Sequence, residues 1–151
     1  MSIFIDQKTI VCVQGITRKE VSFCTKHMIE LGTQVVCGVT PGKEGQTVEG
    51  VPVYNSVKKA VEHHEVDASI LFVPPRLTKD AVLEALNSGI KKVVTIADGI
   101  PLHEMVIIRQ AALEHEALVV GGNTSGVISP KLAMMGSFPH WIERVYKKGN
   151  I

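Results

Sequence analysis

Val39-Thr40-Pro41-Gly42-Lys43 sits where a nucleotide-binding α/β chain selects its ligand, in the loop after a second apolar strand. A site for NAD places an Asp or Glu there, about 20 residues after a glycine fingerprint, to bond the ribose 2′-hydroxyl. This chain has a Pro-Gly turn and a lysine. An ammonium is a compact cation with three donors, suited to a phosphate. The fingerprint itself is incomplete: in Gln14-Gly15-Ile16-Thr17-Arg18-Lys19-Glu20 only Gly15 is a glycine. Thr17 and Glu20 have capping-box spacing, which predicts Thr17 as the cap of a first helix. Arg18 and Lys19 oppose the helix macrodipole at that end, and a bound anion would offset them.

Two further loops carry residues fit for a ligand. In Ile96-Ala97-Asp98-Gly99 small side chains allow close approach to the backbone, and Asp98 is expected to cap the helix that follows. Gly121-Gly122-Asn123-Thr124-Ser125-Gly126 offers backbone N–H groups to an anion, or serves as a plain turn. None of the six histidines has metal-ligand spacing, and no Ser-His-Asp or Cys-His arrangement stands out. The residues read as a binding domain without a catalytic centre.

The elements that must hold these loops alternate along the chain. Thr9–Val13, Gln34–Val39, Ala68–Val73, Lys92–Ile96 and Ala117–Val120 are near-continuous apolar runs. Such runs fit parallel strands buried on both faces. Helices are expected at Thr17–Leu31, from Asn55 or Ser56 to His64, at Thr78–Asn87 and at Leu102–His115. Val51–Tyr54 reads as a short irregular extended piece because of Pro52. The pattern predicts an α/β fold with a doubly wound parallel sheet in three α/β/α layers, with ligands beyond the carboxyl ends of the strands. Lys131–Gly149 shows no clear periodicity, so 131–151 is expected to be a packed tail or a connector beyond a domain spanning 1–130.

With 151 residues, 45% of them apolar, and a net charge of +1, the chain has enough interior for one core and no general nucleic-acid surface. No apolar run reaches the length of a membrane span, and the start lacks signal-peptide features. Three cysteines suggest a reducing compartment, with Cys12 and Cys37 buried in adjacent strands. A cytoplasmic location is expected, or a mitochondrial matrix one for a processed eukaryotic protein.

Gln14-Gly15-Ile16-Thr17, Gly38-Val39-Thr40-Pro41-Gly42-Lys43, Gly50-Val51-Pro52-Val53, Val73-Pro74-Pro75, Ile96-Ala97-Asp98-Gly99-Ile100-Pro101 and Gly122-Asn123…Gly126-Val127-Ile128 follow one another in an order and spacing that closely resemble the α subunit of succinyl-CoA synthetase. The match reaches to about residue 130 and covers that family's Rossmann-like CoA-binding domain. The resemblance implies that Thr17, Arg18, Lys19 and Glu20 surround coenzyme A, together with Val39, Thr40, Pro41 and Lys43. It implies the same of Val73, Pro74, Pro75, Ile96, Ala97 and Asp98, with Asn123 toward the acyl substrate. It also implies an acid–CoA ligase reaction driven by a nucleoside triphosphate, through an acyl phosphate and a phosphohistidine.

The chain departs from the family pattern in three places. A loop that usually reads Thr-Gly-Ser-Gln-Gly is Thr17-Arg18-Lys19-Glu20-Val21 here, without the glycine that admits close backbone approach. A loop that reads Gly-Pro-Asn-Cys-Pro-Gly is Gly121-Gly122-Asn123-Thr124-Ser125-Gly126. The sequence also stops where the family's second domain, with its phosphorylated histidine, begins. The resemblance therefore implies partners, a β-type subunit or a phosphohistidine domain, without which the ligase reaction is incomplete. A stand-alone CoA- or nucleotide-sensing module is the alternative. An NAD-dependent oxidoreductase fits least, lacking both the glycine fingerprint and the ribose carboxylate.

Overall fold

The computed structural model describes residues 3–139, 141 and 143–149. Its elements in chain order are β1 (Ile10–Gln14), α1 (Lys19–Glu30), β2 (Gln34–Val39), β3 (Thr47–Val48), β4 (Val51–Tyr54), α2 (Val57–His63) and β5 (Ala68–Leu71). There follow α3 (Pro75–Asn87), β6 (Lys92–Thr95), α4 (Leu102–Glu114), β7 (Leu118–Val120), β8 (Gly126–Ser129), β9 (Ala133–Gly136) and a 3-10 turn, Glu143–Tyr146.

The main sheet runs β3-β4-β2-β1-β5-β6-β7, and every pairing except β3 with β4 is parallel. The strand order reverses between β1 and β5, which makes that junction the topological switch point of a Rossmann-like sheet. Strand residues alternate between two cores. Val11, Val13 and Ile70 pack with Val21 and Met28 of α1, whereas Cys12, Cys37 and Leu71 pack with Val57, Val82 and Ile108 of the other three helices. Cys12 and Cys37 are fully buried partners in register. A hydrogen bond with Cys37, then burial, pushes the Cys12 thiol well above its usual value.

Two expectations change. Val51–Tyr54 is a regular strand beside β2. Pro52 is tolerated because its outer neighbour is only the two-residue β3, so few ladder bonds are lost. The aperiodic stretch after 130 also contains structure: β9 pairs antiparallel with β8, and Met134 and Met135 are both buried in the core under α1. A strand buried on both faces has no alternation for a sequence pattern to reveal. The Thr33 hydroxyl donates to the Met134 carbonyl at 2.7 Å and accepts from the Met134 N–H at 2.9 Å, pinning the hairpin to the start of β2. Thus one sheet face is covered by α1 and the hairpin, the other by α2, α3 and α4.

Met135→Ala should cost about 2–5 kcal/mol, the range for emptying a buried methionine site. Urea denaturation checks it. A loss under about 1 kcal/mol would mean that the hairpin is not part of the cooperative core.

Candidate functional site

A cavity of about 350 Å³ opens where β1, β2 and β5 end, at the switch point. Gln14 is its buried floor, donating from Nε2 to Ser69 Oγ at 3.1 Å and to the Ala81 carbonyl at 3.4 Å. Gly15 turns the chain at φ +82°, and its N–H donates to the Val39 carbonyl at 2.7 Å. A Cβ at Gly15 would lie 2.5 Å from the Phe72 carbonyl oxygen, so only glycine fits. Val39, Pro41, Val73 and Pro74 supply apolar wall.

Arg18 lines the same cavity and donates from Nη1 to the Phe72 carbonyl at 3.1 Å, bridging the β1–α1 turn to the end of β5. The predicted capping box is not formed. Helix α1 starts at Lys19, its N-cap is Arg18, and no side chain caps it. The Thr17 hydroxyl instead donates to Thr40 Oγ1 at 3.2 Å, tying the turn to the β2–β3 loop. Lys19 and Glu20 are exposed on the first turn of α1 and do not line this cavity.

The loop after β2 is held at several points. The Gly42 N–H donates to Asn55 Oδ1 at 2.8 Å, and the Lys43 N–H donates to the Thr40 carbonyl at 3.1 Å. Glu44 pairs with Lys59 at 3.0 Å, and that hydrogen bond holds its carboxyl below the usual value. The neighbouring acid is thereby engaged elsewhere. The Lys43 side chain is exposed and makes no ion pair among the described residues.

Helix α3 begins at Pro75, three residues before the expected Thr78, with Pro74 as its N-cap. Proline is well suited to the first helical position, where its absent N–H leaves nothing unpaired. Thr78 is buried inside the helix and donates to the Pro74 carbonyl at 3.2 Å.

Farther along the carboxyl edge lies a second cavity of about 360 Å³, between the ends of β6 and β7. Ala97, Asp98 and Asn123 line it with Gly121 and Gly122. The Asn123 N–H donates to the Ala97 carbonyl at 2.8 Å. Asp98 does not cap α4: its Oδ1 accepts from the Gly99 N–H at 2.7 Å, and the N-cap is Pro101. Ile96 lies just behind, its N–H donating to the Leu71 carbonyl at 3.3 Å. A larger hollow, about 600 Å³, runs between Phe4–Ile5 and Val127–Pro130. It is lined by residues that precede β1, so it lies away from the carboxyl edge.

Residues 6–99 match the family model described as a CoA binding domain. This chain belongs to the CoA-binding domain family. Its ligand is coenzyme A, and the first cavity sets apolar wall beside one cation, Arg18. Over all 151 residues the domain is 78% identical to the ADP-forming sulfoacetate-CoA ligase subunit SqwL of Acholeplasma sp. and 62% identical to the corresponding subunit SauD of Bilophila wadsworthia. It is 46% identical over 153 aligned residues to the α subunit of the ADP-forming succinate–CoA ligase of Aquifex aeolicus. It covers 51%, 52% and 49% of those proteins, so the chain spans about half the length of the curated relatives it matches. Among solved structures, ATP citrate lyase from Methanothrix soehngenii in complex with citrate and coenzyme A superposes with a TM-score of 0.83. The match covers 98% of this chain and 27% of that one at 20% identity, a likeness of fold.

The structure gathers Arg18, Val39, Thr40, Pro41, Val73 and Pro74 around one cavity and Ala97, Asp98 and Asn123 around the other. Thr17 joins the first through Thr40, Lys43 lies two residues beyond Pro41 and does not line it, and Pro75 and Ile96 are backing residues. Sequence reasoning missed Leu77, Ala81 and Glu84, which line the first cavity from α3. Their spacing of four and three was a readable signal, hidden by starting the helix at Thr78. Among the described residues no group of three His, Cys, Asp or Glu side chains could hold a metal ion. No described helix is long and apolar enough to cross a membrane.

Thr17→Ala should cost about 0.5 kcal/mol, the low end for one hydrogen bond, because its hydroxyl holds only Thr40 and caps nothing. Ser56→Ala should cost about 1 kcal/mol, since Ser56 caps α2 by accepting from the Lys59 N–H at 3.2 Å. Paired thermal melts compare the two. The opposite ranking would restore the capping box.

Proposed function

We propose that this domain is the coenzyme A half of a subunit of an ADP-forming acid–CoA ligase, acting on sulfoacetate or a closely similar short sulfonated acid. The observation that carries the coenzyme A pose is the pair of cavities in line along the carboxyl edge, one at the switch point and one at the ends of β6 and β7. An elongated ligand with a nucleotide at one end and a flexible arm at the other fits such a track. The choice of acid rests on relatives. Identity is 78% and 62% to the sulfoacetate–CoA ligase subunits against 46% to a malate–CoA ligase α subunit and 41–46% to succinate–CoA ligase α subunits.

In this reading Lys43 meets the ribose phosphate, and Arg18 and Lys19 meet the pyrophosphate at the start of α1, where the helix N-terminus also favours an anion. Thr17 and Thr40 order that turn through their mutual hydrogen bond, and Glu20 adds an acid to the first helical turn, where the macrodipole favours it. Val39, Pro41, Val73, Pro74 and Pro75 pack the adenosine. Ile96, Ala97 and Asp98 flank the arm, and Asn123 lies toward the acid. Coenzyme A supplies the thiol that receives the acyl group. The chain's own part is to bind and aim it, while activation of the acid belongs to a β-type subunit and to a histidine-bearing domain of the ligase.

Calorimetric titration with coenzyme A, dephospho-coenzyme A and NADH tests the reading. Coenzyme A should bind at least about tenfold, or 1.4 kcal/mol, more tightly than the dephospho form, and NADH should give no heat. Lys43→Ala should remove that tenfold preference and leave the thermal midpoint unchanged. Equal affinity of the unmodified chain for both coenzyme forms would take Lys43 off the phosphate. Tight NADH binding without coenzyme A binding would end the proposal.

A further inference from the structure

Gln14 floors the switch-point cavity with one polar atom left over. The residue is 3% exposed, and both of its side-chain hydrogen bonds leave from Nε2, to Ser69 Oγ and to the Ala81 carbonyl. A main-chain carbonyl only accepts, so the Ala81 contact fixes which end of the amide faces α3. The other end, Oε1, receives no hydrogen bond among the described residues. It is not sealed in the core either: among the described residues the sealed, unpartnered side-chain atoms are Thr95 Oγ1 and Glu104 Oε2. The Gln14 carbonyl is therefore an anchored acceptor open to the cavity.

The other polar groups of the cavity do not offer the same thing. Arg18 is a donor, and its Nη1 is engaged by the Phe72 carbonyl. Glu84 Oε1 accepts from the Val57 N–H at 2.8 Å. Asp80 is 72% exposed and 3.4 Å from Lys79. The buried floor thus presents an acceptor below apolar walls formed by Val39, Pro41, Val73 and Leu77. A group lodged between such walls needs apolar faces, and at the floor it must bring a donor. Adenine does both, because its 6-amino group donates from the edge of the ring. Hypoxanthine has nearly the same shape but carries a carbonyl at that position. Its oxygen would meet the Gln14 oxygen with both out of water, which leaves two acceptors unpaired.

We propose that Gln14 reads the base of coenzyme A: its Oε1 accepts from the adenine 6-amino group and rejects a purine with a carbonyl there. The proposal rests on the pose in which the switch-point cavity holds the adenosine. Gln14 in this role sets binding specificity and takes no part in acyl transfer.

The test uses adenosine 3′,5′-bisphosphate, the nucleotide end of coenzyme A without its arm, and inosine 3′,5′-bisphosphate, which has a 6-carbonyl in place of the 6-amino group. Both are titrated by calorimetry, with coenzyme A alongside, into the unmodified chain and into Gln14→Met, Ser69→Ala and Leu77→Ala. Circular dichroism checks each fold. The unmodified chain should hold the adenosine ligand at least about tenfold more tightly than the inosine ligand. Gln14→Met removes the acceptor and should bring that ratio close to one. Ser69→Ala removes the closer anchor, lets the amide turn its N–H groups to the cavity, and should narrow the ratio at least about threefold. Leu77→Ala, at a cavity wall residue 48% exposed, should weaken both ligands alike and keep the ratio. Equal affinity of the unmodified chain for the two bisphosphates overturns the proposal. So does an undiminished ratio in folded Gln14→Met or, where that variant does not fold, in Ser69→Ala. Coenzyme A affinity unchanged in both Gln14→Met and Leu77→Ala takes the adenosine out of this cavity, and the pose falls with the proposal. Failure of the unmodified chain to bind coenzyme A removes the coenzyme reading itself.

Discussion

Everything at the carboxyl edge depends on how closely the β1–α1 turn approaches the end of β5. Gly15 lies against the Phe72 carbonyl with no room for a Cβ, while its N–H bonds the Val39 carbonyl and the Gln14 carbonyl accepts from the Phe72 N–H at 3.0 Å. One glycine thus locks three strand ends together at the point where strand order reverses. The same device recurs at the far end of the track. Cβ atoms at Gly121 and Gly122 would come within 2.1 Å of the Thr95 carbonyl oxygen and 2.6 Å of the Ala97 carbonyl oxygen. Both cavities are therefore bounded by backbone that cannot back away.

Charge is arranged around that frame with little internal compensation. Arg18 and Lys19 stand at the N-terminus of α1, where the macrodipole disfavours cations. The Phe72 carbonyl relieves part of this by accepting from Arg18. Lys43 is presented on a turn braced by Asn55 and Lys59, and the acid beside it is taken by Lys59. Among the described residues Arg18, Lys19 and Lys43 have no carboxylate partner, and basic groups so left favour an anionic ligand. This is the physical content of the proposed phosphate contacts, independent of any resemblance.

The parallel strands were readable because burial on both faces leaves continuous apolar runs, and β2 came out with its full extent, Gln34–Val39. Loops were less readable where polar residues had two local uses. Thr17 and Asp98 have the chemistry of helix caps, but tertiary and turn bonds took them: Thr17 bonds Thr40 across 23 residues, and Asp98 bonds its immediate neighbour. The start of α3 was misplaced because two prolines look like a stop, although the second is well suited to a helical first turn. The hairpin of β8 and β9 was illegible for a different reason. Met134 and Met135 are adjacent and both buried, so no period of two survives.

The loop from Gly121 to Gly126 is where the chain departs furthest from the family pattern at the acid end. The family places proline where Gly122 stands. Here a Cβ at 122 would sit 2.6 Å from the Ala97 carbonyl oxygen and 2.8 Å from Ile100 Cδ1. A proline carries that Cβ, so it does not fit the path this backbone takes. The Asn123 N–H, bonded to the Ala97 carbonyl, holds the asparagine beside the end of β6. In the proposed ligase the acid end of the track is then shaped by backbone position as well as by side chains. The close approach of Gly122 to the Ala97 carbonyl sets where the backbone of Asn123 runs, and Asn123 lines the second cavity.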